Sequence, residues 1–203
     1  MNGNSYRLFT SLRSPFSRRI RLAIRRVQFP VEETFVDVFQ EPPELNAANP
    51  MGAVPTLLTH DVGTLCDSNA ILEYLHEKTN AIWPIDFTHR TLVRQASVLA
   101  MGITQATVLY FQEAQMHEIP SPRWMEEHVS VIQATLAHIS HTQRELWVVN
   151  ETLTQGSWDL VVGLEYLALR IPEVSWQKKY PLLLELIALA RKNSFFVEST
   201  PKL

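Results

Sequence analysis

The chain has 203 residues, 46% hydrophobic and 19% charged, an ordinary globular profile with room for one large or two small domains. Its net charge of −3 is spread evenly: 8 Lys/Arg against 9 Asp/Glu over residues 1–80, then 10 against 12, so no basic half suggests nucleic acid. The single cysteine, Cys66, excludes an internal disulfide framework and a Cys-x-x-Cys redox pair. With no apolar run of membrane-spanning length and no signal-like N-terminus, a soluble, cytoplasmic protein is expected.

In chain order, Tyr6–Ser11 alternates like a short strand. Ser14-Pro15 then opens a helix, Ser as N-cap and Pro at the first helical position, with Ile20, Ala23, Ile24 and Val27 on one face. Glu33–Val38 reads as the next strand, so the opening is a strand–helix–strand unit with parallel pairing. Residues 41–50 hold a short helix at best. Asn49-Pro50 and Met51-Gly52 are turn signals, and Val54-Pro55 enters the apolar run Thr56–Leu58 with proline where a missing N–H does least harm. Thr56–Thr59 and Thr64–Cys66 form a hairpin around His60–Gly63. Asp67-Ser68 precedes the stripe Ile71, Leu72, Leu75 of a helix over Ser68–Lys78.

Ala81–Phe87, with Trp83-Pro84 inside it, reads as a linker. Beyond it the pattern is helical throughout: His89–Gln115, Arg123–Thr142, Trp158–Arg170 and Pro181–Asn193, with Pro120, Pro122, Pro172 and Pro181 as breakers. Three regions follow: an α/β domain over 1–80, the linker 81–87, and an all-helical domain over 88–203.

Before the second helix start, the stretch Val54 to Ser68 offers one open backbone edge, a hydroxyl with helix N–H groups, and a carboxylate. Such a set suits a small zwitterionic peptide, because a helix start carries unpaired N–H groups and positive dipole. The ordered pair Asn49-Pro-x-Gly-x-Val-Pro-x-Leu57 and Asp67-Ser-x-Ala-Ile-x-x-Tyr-Leu75 resembles the glutathione-binding half of the glutathione S-transferase superfamily. The run from Ser14-Pro15-Phe16 through Arg18-Arg19 to Arg21-Leu22-Ala23 resembles its serine-type classes. Leu164–Arg170, Trp176, Tyr180-Pro181 and Arg191–Phe195 look like one bacterial group of such proteins. The resemblance implies a thioredoxin-like domain followed by an all-α helical bundle domain, a homodimer, and glutathione as co-substrate with no metal.

It also implies site roles. A free thiol has a pKa of about 8.5, so little of it is thiolate at neutral pH. A donor aimed at sulfur, helped by a helix N-terminus, favours the charged form. Ser14 is expected to be that catalytic donor, with Ser11 and Ser17 as alternatives. The resemblance implies that Ser68 takes the γ-glutamyl carboxylate and that Asp67 pairs with the ammonium. Val54 would bond the cysteinyl unit through its backbone, and Pro55 resembles the superfamily's cis proline. Met101, Gln105, Val108 and Leu109 are candidates for the wall of a second, apolar electrophile site between the domains; bundle core is their other reading.

Three departures bear on affinity and folding. Asp67 stands where most relatives have Glu, and Ala53 where many have a cation. Asp159 would close a capping box whose first residue is Gly156 rather than Ser or Thr. The arginines of the first helix read as a solvated face or as partners of Glu32 and Glu33. His138 and His141 lack a third ligand, and Cys66 reads as buried packing. Two functions are therefore weighed: a transferase using a Ser14-stabilised thiolate, and a non-catalytic binding or regulatory protein of the same fold. Glutathione-dependent isomerisation or peroxide reduction would use the same thiolate.

Overall fold

The computed structural model describes residues 6–201, so the outermost ends of the two expected domains, 1–5 and 202–203, lie outside it. The chain divides into two units, Met1–Trp83 together with Phe195–Leu203, and Pro84–Ser194. Residues 81–83, expected in the linker, belong with the first unit: Ile82 and Trp83 are buried. So does the tail from Phe195, expected in the helical domain.

The first unit is built on β1 (Tyr6–Thr10), α1 (Pro15–Arg26), β2 (Val31–Phe35), α2 (Pro43–Ala48), β3 (Thr56–Leu58), β4 (Thr64–Cys66) and α3 (Ser68–Thr79). The sheet order is β2-β1-β3-β4, with β1 parallel to β2 and antiparallel to β3, the expected thioredoxin-like arrangement. Leu8, Leu57, Ile20, Ala23 and Ile71 are fully buried around it. The second strand starts two residues earlier than its sequence suggests. Register decides this: Tyr6 to Thr10 pair with Val31 to Phe35, and Asp37 then caps a 3-10 turn over Val38–Gln40.

The second unit consists of α4 (Phe87–Met116), α5 (Pro122–Ser140), the hairpin β5 (Val148–Val149) and β6 (Thr152–Leu153), α6 (Gln155–Arg170) and α7 (Pro181–Ala190). The sequence does not predict the hairpin, although Asn150 and Glu151, both at positive φ, are the turn between Val148-Val149 and Thr152-Leu153. By length and composition α4 could cross a membrane, contrary to the expectation that no run would. Its apolar face, from Val93 through Ala100 to Ile103, is buried in a packed bundle instead. A last short helix, α8 (Ser194–Glu198), opens the tail.

The expected capping box is not the cap. Helix α6 starts one turn earlier, with Thr154 as N-cap accepting from the N–H of Ser157 at 3.4 Å. Gly156 lies inside the first turn, pressed on α4: a Cβ there would stand 2.8 Å from Ala96 Cβ and 3.2 Å from the carbonyl oxygen of Val93. The residue that looks like a weak cap is thus a close approach of two helices. Gly156→Ser, which would restore the box on paper, should destabilise the protein by about 1–3 kcal/mol through overpacking. A urea titration giving equal or higher stability for the variant would show that the approach is looser than this.

Candidate functional site

Ser14 ends the loop after β1 in extended conformation and caps α1, its Oγ accepting from the N–H of Ser17 at 3.2 Å. The side chain is half-buried, and among the described residues no acceptor takes its O–H. A capping serine uses its oxygen as acceptor and keeps its proton to donate. The two alternatives are engaged differently. Ser17 is fully buried and accepts from the N–H of Ser11 at 3.2 Å; the Ser11 hydroxyl accepts from Arg13 N–H at 3.4 Å.

The loop after α2 is pinned by a buried asparagine. Asn49 donates to the carbonyl of Ala53 at 3.0 Å and to Thr56 Oγ1 at 2.9 Å, and accepts from Met51 N–H at 3.0 Å. Gly52, at φ +59, makes the turn that this network encloses. The Val54–Pro55 peptide that follows is cis. With Ala53 and Thr56 tied down, the N–H and C=O of Val54 have no hydrogen-bond partner among the described residues, and Val54 is half-buried. The open backbone edge anticipated from the proline is present. Ala53 is exposed.

At the start of α3, Asp67 is the N-cap and accepts from Asn69 N–H at 2.7 Å. Its φ of +76 is uncommon for a non-glycine residue and carries strain. The Asp67 carboxyl is exposed, while Ser68 is only 3% exposed. The Ser68 Oγ accepts from the guanidinium of Arg19 at 2.7 Å, and the same Arg19 nitrogen donates to Asn69 Oδ1 at 2.8 Å. Arg19 therefore ties the start of α3 to the helix that Ser14 caps.

For the arginines of α1 the sequence predicts either a solvated face or ion pairs with Glu32 and Glu33, and not this contact. Arg18, Arg19 and Arg21 are instead 2%, 2% and 8% exposed. The expected pairing with Glu33 is present: Arg21 Nε donates to it at 2.9 Å, and Arg25 donates to its other oxygen. Burial pushes the Glu33 carboxyl up, but the hydrogen bond from Arg25 and the charge of Arg21 outweigh that and hold it below its ordinary value. Nothing in a helical pattern distinguishes a buried arginine from a solvated one. Only the position of Arg19, five residues after Ser14, could have suggested a partner near the site. Cys66, expected to be buried, is half-buried on β4 opposite Thr56.

In the second unit, Met101, Val108 and Leu109 are half-buried and Gln105 is exposed. They lie off the stripe Ala100, Ile103, Thr104 and Thr107 that forms the bundle interior, so the core reading does not hold for them. Nor do they line either of two open grooves formed by described residues of this unit. One groove, of about 560 Å³, lies between Tyr110, Met125, Val129 and Glu173; the other, of about 470 Å³, between His89, Leu92, Val148 and Asn150. Among the described residues no three His, Cys, Asp or Glu side chains form a metal-binding group.

Residues 13–78 match the family described as glutathione S-transferase, N-terminal domain. Over 120 residues the chain is 31% identical to glutathione S-transferase 1 of Dianthus caryophyllus, a match spanning 55% of this chain and 54% of the relative. Over 81 residues it is 41% identical to a maleylacetoacetate isomerase of Aspergillus fumigatus, spanning 36% of this chain and 35% of that one. The chain thus spans about half, or less, of the curated relatives it matches. Among solved structures, a glutathione S-transferase of Methylobacterium radiotolerans in complex with glutathione sulfonate is similar over 98% of this chain and 96% of its own. That pair has a TM-score of 0.88 and 28% identity.

Proposed function

Because the chain belongs to the glutathione S-transferase superfamily, we propose that its first unit binds glutathione and activates the thiol for attack on an electrophilic, apolar substrate. The observation that carries this reading is the Ser14 hydroxyl, held at a helix start with its proton undirected, on the same small unit as the open Val54 backbone and the Asp67-Ser68 cap. The Methylobacterium structure, with its glutathione analogue, supports the choice of ligand.

In this mechanism Val54 exchanges backbone hydrogen bonds with the cysteinyl unit. Ser68 and the N–H groups of α3 receive the γ-glutamyl carboxylate, and the exposed Asp67 carboxyl pairs with the ammonium. The Ser14 O–H points its proton at sulfur, which favours loss of the thiol proton to solvent. The sulfur lone pair then forms a bond to the electrophilic carbon. A leaving group departs with its bonding pair or, in an addition, the product carbanion or enolate takes a proton. Met101, Gln105, Val108 and Leu109 are proposed as apolar-substrate contacts of the second unit, on the observation that none of them is among the buried residues of α4. A cytoplasmic homodimer is part of the same proposal.

Two features favour a second reading, a binding or regulatory protein with a weakened site: Ala53 brings no cation to the glycyl end, and Asp67 is one methylene shorter than Glu. The match to an isomerase favours a third outcome, in which the thiolate adds to a double bond and is later expelled. Titration calorimetry with glutathione at about pH 6.5 and again at about pH 8 separates binding from its absence. A bound thiol whose pKa has fallen to about 6.5 or below releases half a proton or more at the lower pH, where free thiol, with a pKa of about 8.5, is almost wholly protonated. Saturable heat with that release is expected. No heat at millimolar glutathione would overturn the proposal.

A further inference from the structure

Four residues beyond Ser14, the first turn of α1 is gripped from the far end of the chain. Arg18 donates from Nε to Ser199 Oγ at 3.1 Å and from a terminal nitrogen to the Phe196 carbonyl at 3.3 Å. Its guanidinium also lies over the Phe196 ring, 4.5 Å from the centroid. Arg18 and Phe196 are 2% and 0% exposed, and Ser199 is 8% exposed. The tail offers a preformed turn: Ser199 Oγ donates to the Phe196 carbonyl at 2.8 Å, and Ser199 N–H to that of Phe195 at 3.2 Å. The backbone N–H of Arg18, in turn, donates to the carbonyl of Ser14 at 3.0 Å, the bond that closes the first turn of α1.

We infer that Arg18 is a positioning residue for Ser14, and that the C-terminal segment around Phe196 and Ser199 is the strap that holds it. The first turn of a helix is where fraying starts, because only its end is stabilised by backbone bonds. A serine that must aim one proton at a sulfur tolerates little of that motion. Burying a long, charged side chain under an aromatic ring, with two directed hydrogen bonds, removes rotamer freedom at the residue whose backbone anchors Ser14. The arrangement explains why a tail following 111 residues of the other unit returns to this one.

The inference rests on the role proposed for Ser14, so its test needs a readout that survives if that role fails. Amide hydrogen exchange is measured on the full chain, on Arg18→Gln, Arg18→Lys and Ser199→Ala, and on a chain ending at Asn193. Exchange at residues 14–18 should rise about tenfold in Arg18→Gln and in the shortened chain. A smaller rise is expected for Arg18→Lys and Ser199→Ala, and none in α3. In glutathione turnover the same variants should lower kcat in the same order, with KM for glutathione within about twofold. The apparent pKa of the pH profile should move toward that of free thiol. Unchanged exchange at 14–18 in Arg18→Gln would overturn the inference. A rise spread equally over α1, the sheet and α3 would do so too, since that is loss of fold. If the shortened chain does not fold, the two mild variants decide. Should Ser14→Ala leave turnover unchanged while exchange responds as expected, the strap stands and the serine's chemical role falls.

Discussion

Ser14→Ala should lower kcat/KM for conjugation of an activated aryl halide by about a hundredfold, the loss seen when one preorganised donor is taken from a developing or resting anion. Glutathione affinity should change by no more than about threefold, because the groups proposed to hold the peptide, Val54, Asp67 and Ser68, are untouched. The substitution also removes an N-cap, which costs about 1 kcal/mol of stability, so lost activity alone would be ambiguous. Two companions separate the roles. Ser14→Thr keeps the hydroxyl and the cap and should retain most turnover. Ser14→Asp keeps the cap but puts a negative charge beside the sulfur, which raises the thiol pKa and should abolish turnover in a protein at least as stable as the alanine variant. Turnover in Ser14→Asp equal to that of the parent chain would refute the thiolate role.

The largest stability loss is expected in the second unit, at Asp159. This residue is 0% exposed inside α6 and accepts from the Ser97 hydroxyl of α4 and, at 2.7 Å, from the side-chain amide of Gln155. Ser97 and Gln155 are themselves 4% and 1% exposed. Asp159→Ala strips one acceptor from two buried donors at once and leaves a space between the two central helices, at a cost of about 3 kcal/mol. Because two units can unfold in separate steps, the readout must be local. Four of the five tryptophans, Trp124, Trp147, Trp158 and Trp176, lie in Pro84–Ser194, so a urea titration followed by tryptophan fluorescence reports mainly on that unit. The midpoint should fall sharply, while glutathione heats measured without urea should persist. A midpoint within error of the parent would mean that the network contributes little.

Much of the proposed site is legible in the chain because it is made of local backbone chemistry. Ser14-Pro15 predicts a capped helix start, and Ser14 is that cap; Asp67-Ser68 predicts another, and Asp67 caps it. The proline after Val54 predicts an open strand entry, and the Val54 backbone is unpaired among the described residues. Each of these depends on interactions within a few residues, where residue type and spacing constrain φ, ψ and hydrogen bonding directly. The alternation of the strands and the 3.6 period of the helices likewise identify the α/β unit and the helical one that follows.

What the sequence could not decide is which polar residues have partners far along the chain. Arg19 meets Ser68 across 49 positions and Arg18 meets Ser199 across 181, so both arginines are buried where a helical pattern alone reads them as solvated. Gly156 reads as a poor cap because the close approach of α4, contributed some 60 residues earlier, is invisible locally. The boundary between the units moved for the same reason: the tail follows a helical run in sequence but is claimed by Arg18 in space. By itself the sequence determined the turns, caps and periodicities, which are short-range. The tertiary structure alone decided burial, the cap of α6 and the partner of each arginine, because these depend on which distant surface arrives to replace water.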